Sequence, residues 1–433
     1  MEKNLITQTR PRRLLLCLDG VPLEVIEAAK ERGLFDQFGT PARLLSPFPT
    51  MTNIALSTML HASAPLGYEC LYFDCDAREM RGGVRKYIGR RTPDKVPSSY
   101  MDELDYQEPL PFEFLIYVAP EMVWRLDFRR FRERFRRAPQ DRDYFAFLKG
   151  TDGLLHIRGV KRLHVALESL DRILTELQAF CGTETEIVLF SDHGMNLQEN
   201  NRVPVQTHLR RLGFETTNSF VPKESLPPVK HGIGKKGVVA LPAFGLCGYA
   251  ALYCPDEEVT QTVADALVEL KGVDFAIHRE GHNAIKLKSP RGAARIHHEM
   301  NGKGARYRYE QLDGDPLQLS SALCELKQEN QVDARGYAPE AAWFAQTAAH
   351  VYPDALANLF SSLHGTRVRH TADVLVSFED GYYYGATIFS RLARIAATHG
   401  NALRPSTSAF MMSTHRHFPA AVRATDAYTL LRG

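Results

Sequence analysis

The sequence predicts an α/β protein with a mostly parallel central sheet that is sandwiched by helices and interrupted by inserted cap segments. Residues 14–18 (LLLCL) form a continuous apolar run that ends at Asp19, and residues 186–191 (EIVLFS) form a second run that ends at Asp192. Between them, residues 160–180 carry apolar side chains at helical spacing. Short apolar strands connected by amphipathic helices are typical of parallel strands buried on both faces. Ligands of such sheets bind beyond the carboxyl ends of the strands, where both aspartates fall.

The overall composition is that of an ordinary globular protein. The chain has 433 residues, of which 44% are hydrophobic and 24% charged, so disorder, collagen and coiled coil are excluded for the whole chain. Its 53 Lys and Arg residues against 51 Asp and Glu residues leave a formal net charge of +2. This balance gives no overall attraction to nucleic acid, so any electrostatic role must come from local clusters.

The cysteines and the apolar segments predict a soluble, cytoplasmic protein without a membrane partner. Seven cysteines are scattered without CxxC spacing, which is typical of reduced thiols. The apolar run before Asp19 is too short for a signal peptide. The uncharged, mainly apolar residues 238–254 form a stretch of 17 residues that is interrupted by Pro242, Gly245 and Gly248. A membrane helix needs about 20 apolar residues.

The order of the segments predicts a core that is interrupted twice. One expected insertion is rich in Arg, Tyr, Phe and Pro, and the other alternates as strand, helix, strand and strand, which predicts a small α+β cap. The apolar run after Ala372 (ADVLVSF) is predicted to return the chain to the core. The expected parts are 1–67 (core), 68–145 (Arg/aromatic-rich insertion), 146–235 (core), 236–370 (cap) and 371–433 (core).

Four short segments place potential metal ligands after strands or at turns. A lone aspartate or histidine in such a position is usually structural, since Asp-Gly pairs favour turns and most histidines are surface or hydrogen-bonded core residues. The set is more informative, because three carboxylates and three imidazoles are enough to hold two divalent cations and leave positions open for substrate. These candidates are Asp19, Asp152, His156, Asp192, His193 and His399.

A candidate nucleophile lies in the segment FPTMTNIALSTML. It carries Thr50 and Thr52 directly before an apolar stretch that can open a helix. A hydroxyl at a helix N-terminus faces exposed N–H groups and the positive end of the helix dipole, which favour an anion. The alternative is that Thr52 serves only as an N-cap, for which threonine is favoured. The local sequence leaves both interpretations open.

The ordered set of these motifs resembles the alkaline phosphatase superfamily, and most closely its type I phosphodiesterase/nucleotide pyrophosphatase branch. The resemblance extends from residue 14 to residue 400, and its most specific part is T-D-x-x-x-H followed by S-D-H-G. It implies an alkaline phosphatase-like core. The motifs are Asp19-Gly20, Thr52, Thr151-Asp152 with His156, Ser191-Asp192-His193-Gly194 and Thr398-His399-Gly400.

The resemblance also implies a role for each of these residues. Two divalent metal ions are expected, usually zinc in this family, with manganese as the alternative, and Thr52 is expected to be the nucleophile. The implied ligand sets are Asp152, His156 and His399 for one metal, and Asp19, Asp192 and His193 for the other. His415 and His417 lie near the last motif and are rivals for His399.

One position departs from the family pattern. The branch commonly has an asparagine three residues after the nucleophile, where it contacts a phosphoryl oxygen. Here that position is Ala55, whereas Asn53 directly follows Thr52. Asn53 is therefore the candidate for this contact, and the substrate class is open.

The implied activity is two-metal hydrolysis of phosphate esters through a phospho-threonine intermediate. A phosphodiester or nucleotide pyrophosphate is the expected substrate, so the expected partner is a small phosphate ester or nucleotide-like molecule. A phosphomonoesterase or a phosphonate hydrolase on the same scaffold is the alternative. The competing class is a metal-stabilised nucleic-acid-binding protein, which six ligands and a nucleophile in one pattern disfavour.

Residues 124–137 (WRLDFRRFRERFRR) combine seven arginines with phenylalanines spaced three and four residues apart. This spacing predicts an amphipathic helix with a solvated basic face. The alternative is a basic, aromatic lid that attracts an anionic substrate. Its position between Thr52 and Asp152 favours the lid, because both of its ends are then tied to the same edge of the sheet.

Overall fold

The computed structural model of the chain describes residues 12–83, 96, 98–116, 118–217, 237–385 and 395–432. Twenty β-strands lie in these ranges. They are β1 (Arg13–Leu18), β2 (Ala42–Leu45), β3 (Leu71–Asp74), β4 (Glu79–Gly82), β5 (Tyr144–Leu148), β6 (Glu186–Ser191), β7 (Asn201–Arg202), β8 (Glu215–Thr217), β9 (Val238–Ala240), β10 (Leu246–Cys247), β11 (Tyr249–Leu252), β12 (Val273–Arg279), β13 (Ala284–Ser289), β14 (Gly292–Asn301), β15 (Gly304–Gly314), β16 (Ala338–Pro339), β17 (Val374–Phe378), β18 (Tyr382–Gly385), β19 (Ser408–Ser413) and β20 (Ala421–Arg423).

Thirteen α-helices lie in the same described ranges, together with a 3₁₀-helix over Tyr100–Glu103. The helices are α1 (Leu23–Glu31), α2 (Thr52–Met59), α3 (Leu110–Leu115), α4 (Pro120–Arg137), α5 (Gly150–Arg158), α6 (Val160–Cys181), α7 (Val205–Arg211), α8 (Glu257–Leu267), α9 (Ser320–Gln328), α10 (Glu340–Thr347), α11 (Ala355–His364), α12 (Arg404–Thr407) and α13 (Ala424–Arg432).

The central sheet has six strands in the order β20-β2-β19-β6-β1-β5. β1 lies between β5 and β6 and is parallel to both. β19 is antiparallel to β6 and β2, while β20 is parallel to β2, so one strand of the six runs against the others. The prediction of an α/β fold with a mostly parallel central sheet is therefore confirmed. Because β1, β5 and β6 are parallel neighbours, their carboxyl ends meet at one edge of the sheet.

Helices cover both faces of this sheet, which explains why its central strands are apolar throughout. Every residue of β1, β5 and β6 is buried. Leu14, Leu16 and Leu18 of β1 point into a core formed with α1, α4 and α6. Leu15 and Cys17 point to the opposite core, which is formed with α2 and α13. The alternation of side chains along a strand thus buries each residue on one face or the other.

A second, antiparallel sheet has the order β11-β17-β12-β13-β14-β15-β16. The predicted sequence of strand, helix, strand and strand is confirmed as β11, α8, β12 and β13. The apolar run after Ala372, which was expected to return the chain to the core, forms β17, and β17 pairs with β11 and β12 of this sheet. β17 is buried over its whole length, so its apolar pattern matches that of a central strand. Only its pairing partners decide which sheet it joins.

Between α2 and β5 the described chain forms the β3–β4 hairpin, the 3₁₀-helix, α3 and α4. The helix predicted over the arginine-rich residues is confirmed as part of α4. Residues 84–95 and 218–236, which include the expected boundary near residue 235, lie outside the described part of the chain. The division into three core parts and two insertions stays a prediction.

Two further expectations concern the thiols and the membrane. All seven cysteines lie in described ranges, and none forms a disulfide bond. None of the helices in the described ranges combines the length and the apolar character needed to span a bilayer.

Candidate active site

The six candidate ligands converge at the carboxyl ends of β1, β5 and β6. Asp19 directly follows β1 and Asp192 directly follows β6. Asp152 and His156 lie one turn apart in α5, which begins just after β5, and His399 lies in the loop before α12. All six are buried, with 9% exposure or less. Strand ends that meet at one sheet edge thus bring together residues from distant parts of the sequence.

Asp19, Asp192 and His193 form one group of potential ligands. One ligand atom of each lies within 4.8 Å of the others. The His193 Nε2 atom is 3.4 Å from Asp19 Oδ1 and 3.4 Å from Asp192 Oδ2. The backbone N–H of Gly20 donates to Asp192 Oδ1 at 3.1 Å, which fixes this carboxylate with its other oxygen facing His193.

Asp152 lies at the centre of the other group. Its Oδ1 atom is 3.3 Å from His156 Nε2 and 3.7 Å from His399 Nε2. The rings of His193 and His399 stack with centroids 3.9 Å apart, and ligand atoms of Asp152, His193 and His399 also lie within 4.8 Å of one another. His193 therefore lies between the two groups. Its assignment to the Asp19 and Asp192 set stays a prediction.

Each of the three histidines is oriented by a backbone carbonyl. Nδ1 of His156 lies 2.7 Å from the oxygen of Ala397, Nδ1 of His193 lies 2.9 Å from that of Gly194, and Nδ1 of His399 lies 2.6 Å from that of Thr50. A carbonyl can only accept, so Nδ1 carries the proton and Nε2 presents a lone pair to the site. The sequence has no signal for these contacts, since every residue offers a carbonyl.

The three carboxylates each present one oxygen without a partner. Among the described residues, Asp19 Oδ2, Asp152 Oδ1 and Asp192 Oδ2 are buried and accept no hydrogen bond. A buried, unsatisfied polar atom costs about 1–3 kcal/mol, and more if it is charged. Three carboxylate oxygens and three imidazole nitrogens are the donor set that suits divalent cations such as zinc or manganese. The residues present therefore fit two metal ions.

Burial and mutual repulsion disfavour charge on two of the carboxylates. Burial, followed by the charges of Asp192 and Asp152, raises the pKa of Asp19 well above its ordinary value. Burial also raises the pKa of Asp192, to about 6. For Asp152 the effect of burial is more than offset by His156, His399 and His193, which together lower its pKa. Bound cations would remove the repulsion that these carboxylates exert on one another.

The pKa values of the three histidines are also shifted in different directions. Burial lowers the pKa of His193 to about 4, and burial together with His193 lowers that of His399 to about 3, so both rings are neutral at pH 7. For His156 the attraction of Asp152 exceeds the effect of burial and raises the pKa. Neutral imidazole is the form that binds a metal ion.

The hydroxyl of Thr52 faces this cluster. Its Oγ1 atom is 3.3 Å from Asp19 Oδ1 and 3.3 Å from His193 Nε2. Thr52 is the first residue of α2, and the N-cap is Met51, which makes no side-chain capping bond. The interpretation of Thr52 as an N-cap is therefore wrong.

Thr50 has a different place. Its hydroxyl is buried, accepts the N–H of Gly400 at 2.7 Å and donates to the carbonyl of Asn401 at 3.4 Å. Together with the bond from its carbonyl to His399, these contacts fasten the loop that carries His399. Thr50 thus positions His399 instead of facing the cluster.

Asn53 and the rival histidines have other partners. The Asn53 Nδ2 atom donates to Gly67 O at 3.2 Å, and its Oδ1 accepts from Ile54 N at 3.0 Å. Asn53 lines the cavity next to Thr52, and its contact to a phosphoryl oxygen stays a prediction. His415 Nε2 lies 2.9 Å from Thr183 O, and His417 lies beside Gly39. Neither joins the cluster.

A cavity of about 260 Å³ opens beside Thr52 and is also lined by Asp152, His156 and His399. Its walls are mainly apolar and include Tyr100, Phe112, Ile116, Val123, Phe147 and Phe244. Glu69 closes one side and accepts N–H bonds from Phe244 and Gly245. The sequence pattern did not reveal these residues, because they come from segments without a motif.

The arginines of α4 face away from this cavity. Phe128, Phe131 and Phe135 pack into the core beside the central sheet. Of the residues in α4 only Val123 lines the cavity, while Arg130 and Arg134 are exposed. The structure favours the solvated basic face over the lid.

Reversing Arg130 and Arg134 to glutamate is therefore expected to leave KM within about twofold of the parent value at low and at high salt, since exposed charges are screened over about 8–10 Å. The measurement is steady-state hydrolysis of a phosphodiester at two ionic strengths. An increase in KM at low salt that disappears at high salt would restore the lid.

Comparison with known proteins gives structural matches only. No family model matches the sequence, and no curated protein matches it. Phosphonoacetate hydrolase from Sinorhizobium meliloti, solved with phosphonoformate, is 15% identical over 98% of this chain and 95% of that chain, with a TM-score of 0.46. Human ectonucleotide pyrophosphatase/phosphodiesterase 5 is 12% identical over 97% of this chain and 93% of that chain, with a TM-score of 0.46.

Proposed function

We propose that this chain is a metal-dependent phosphoric ester hydrolase with Thr52 as its nucleophile. One observation carries the proposal. Three buried carboxylates, each with an oxygen that lacks a partner in the described structure, and three imidazole Nε2 atoms surround one edge of the sheet. The Thr52 hydroxyl lies within 3.3 Å of this cluster.

The proposed ligands are those implied by the motifs, namely Asp152, His156 and His399 for one cation and Asp19, Asp192 and His193 for the other. When bound, divalent cations would favour ionisation of a nearby hydroxyl and stabilise negative charge on phosphoryl oxygens. Two such ions against three carboxylates would leave the site with a small positive excess, which would attract an anionic ester.

In the proposed reaction the Thr52 Oγ1 atom attacks the phosphorus. The Oγ1–P bond forms while the bond from phosphorus to the leaving oxygen breaks, so the phosphoryl group is transferred to Thr52. The hydroxyl gives up its proton, for which Asp19 Oδ1 and His193 Nε2, each 3.3 Å away, are acceptors within reach. The leaving oxygen takes up a proton from water and departs with the rest of the ester. A water molecule then cleaves the Oγ1–P bond and restores the hydroxyl.

We propose a phosphodiester or nucleotide pyrophosphate as the substrate. The support is the apolar cavity beside Thr52, which has room for a substituent in addition to the reacting phosphoryl group. The alternative substrates, a phosphomonoester or a phosphonate, lack this second substituent and would contact less of the apolar wall.

A panel of esters tests the proposal. A nitrophenyl diester, a nitrophenyl monoester, a dinucleotide pyrophosphate and a phosphonate are offered to protein that has been stripped of metal and reloaded with Zn²⁺ or Mn²⁺. We expect hydrolysis only after reloading, fastest for the diester or the pyrophosphate. If the monoester or phosphonate is fastest, the alternative substrate class replaces ours. If no ester is hydrolysed and salt-sensitive binding of nucleic acid survives chelation, the chain is a binding protein.

We also propose a cytoplasmic location. Its support is the seven cysteines, all described and none in a disulfide bond. Fractionation of cells that produce the protein tests this, and recovery outside the cytoplasm would contradict it.

A further inference from the structure

One cation stands out in the wall of the cavity. Among the described residues that line it, Lys149 is the one lysine or arginine. It lies between the end of β5 and the start of α5, in the same connection that delivers Asp152. Its position is thus fixed by the strand that also fixes the site.

The positive charge of Lys149 reaches both groups of candidate ligands. It lowers the pKa of Asp19 in one group and that of His156 in the other. Lys149 also lines the cavity, together with Thr52, Asp152, His156 and His399.

Glu108 brings a negative charge into the same wall. It lines the cavity, is 2% exposed and acts on Asp19 in the sense opposite to Lys149. Lys149 and two glutamates, Glu69 and Glu108, thus line a cavity whose walls are otherwise mainly apolar. In apolar surroundings charges interact more strongly than in water. A bound substrate with one negative charge is therefore repelled by Glu108 much less than a substrate with two.

We propose that Lys149 binds a phosphoryl oxygen of the substrate and that Glu108 repels a second negative charge, so that the site selects monoanionic phosphodiesters over dianionic monoesters. The inference rests on the proposed function. Lys149 is thus assigned to substrate binding and Glu108 to specificity. The residues of α2 that line the cavity, Thr52, Asn53 and Ser57, are uncharged and cannot take either role.

Binding of two anions that are not hydrolysed tests the assignment. Calorimetry of the metal-loaded protein at mildly alkaline pH uses dimethyl phosphate, with one charge, and methylphosphonate, with two. A charged hydrogen bond is worth about 1.5–3 kcal/mol, so Lys149→Met is expected to weaken binding of dimethyl phosphate about 10- to 100-fold. Lys149→Arg, which keeps the charge, is expected to retain most of this affinity. Glu108→Gln is expected to strengthen binding of methylphosphonate.

Turnover provides a second readout. With a nitrophenyl diester, Lys149→Met is expected to raise KM more than it lowers kcat, while the metal content per chain stays unchanged. Lys161→Met, an exposed lysine of α6, is the matched control and should match the parent protein.

The possible failures can be told apart. If the parent protein, loaded with metal, binds neither anion and hydrolyses no ester, the proposed function fails. If the parent hydrolyses the diester but Lys149→Met binds dimethyl phosphate as tightly as the parent, the role of Lys149 is overturned while the proposed function stands. If Lys149→Arg loses as much affinity as Lys149→Met, Lys149 acts through packing and the inference is also overturned.

Discussion

Replacing Thr52 with alanine is expected to lower kcat for every hydrolysed ester by about 10³-fold or more. Alanine has no hydroxyl to attack the phosphorus, and the neighbouring side chains cannot take over this role. The fold and the metal content should not change. The hydroxyl makes two contacts of 3.3 Å and caps no helix, so its loss costs about 1 kcal/mol at most. Kinetics, metal analysis and thermal unfolding of the variant provide the measurements.

Thr58→Ala is the control on the same helix. Its hydroxyl donates to the carbonyl of Ile54 at 2.8 Å and does not line the cavity. Turnover of this variant should stay near the parent value, and Thr52→Ser should keep part of it. An active Thr52→Ala variant would require a different nucleophile and would overturn the proposed reaction.

Replacing Asp192 with asparagine is expected to reduce the bound metal from two ions to one per chain. It is also expected to lower kcat/KM by more than about 10²-fold, because mutation of a residue that merely supports a metal ligand already lowers metal affinity or activity about 10- to 100-fold. The asparagine can still accept the N–H of Gly20 through its oxygen, so the local backbone is preserved. The loss is therefore that of the oxygen that faces His193. Metal analysis after loading and dialysis checks the count.

The same variant is expected to make the metal-free protein more stable at pH 8. Burial raises the pKa of Asp192 from 3.8 to about 6, so the folded state holds its proton more tightly than the unfolded state. Above about pH 6 the parent protein must bury the charged form, at a cost on the order of 3 kcal/mol that asparagine avoids. The gain should fade as the pH falls from about 6 to 3.8, and below 3.8 the carboxyl is mainly protonated in both states.

Urea unfolding of metal-free protein at pH 8 and at lower pH measures this difference. Asp141→Asn, an exposed aspartate beyond α4, is the control and should change neither stability nor metal content. A metal-free Asp192→Asn variant that is less stable than the parent at pH 8 would show that the carboxylate is not strained by burial. In that case the buried Asp192 carboxylate would not need a cation to offset the cost of its burial.

Much of the central sheet could be predicted from the sequence because its signals are local. β6 was predicted with its observed bounds, and β1 and α6 were predicted to within one residue at their ends. A strand that is covered on both faces must be apolar at every position, and such a run is visible without knowing what it packs against. The aspartates that end β1 and β6 therefore marked the edge of the sheet at which the candidate ligands meet.

The orientation of α4 could be predicted only in part. The spacing of Phe128, Phe131 and Phe135 indicates an amphipathic helix, and all three are buried. Whether the opposite, arginine-rich face covers the site or faces solvent depends on how the helix is placed on the sheet. That placement is set by contacts with α5 and α6, which the spacing within one helix does not contain.

By itself, the sequence determined which residue types can act as ligands and nucleophile, and which segments form buried strands and helices, because burial periodicity and turn chemistry depend on neighbours in the chain. Only the tertiary structure decided that β17 joins the second sheet, that His193 stands between Asp19 and Asp152, and that a carbonyl fixes each imidazole. It also placed Lys149 and Glu108 among the residues that line one cavity. These features depend on contacts between residues far apart in the sequence, where many pairings satisfy the same local pattern and only packing of the whole chain selects one.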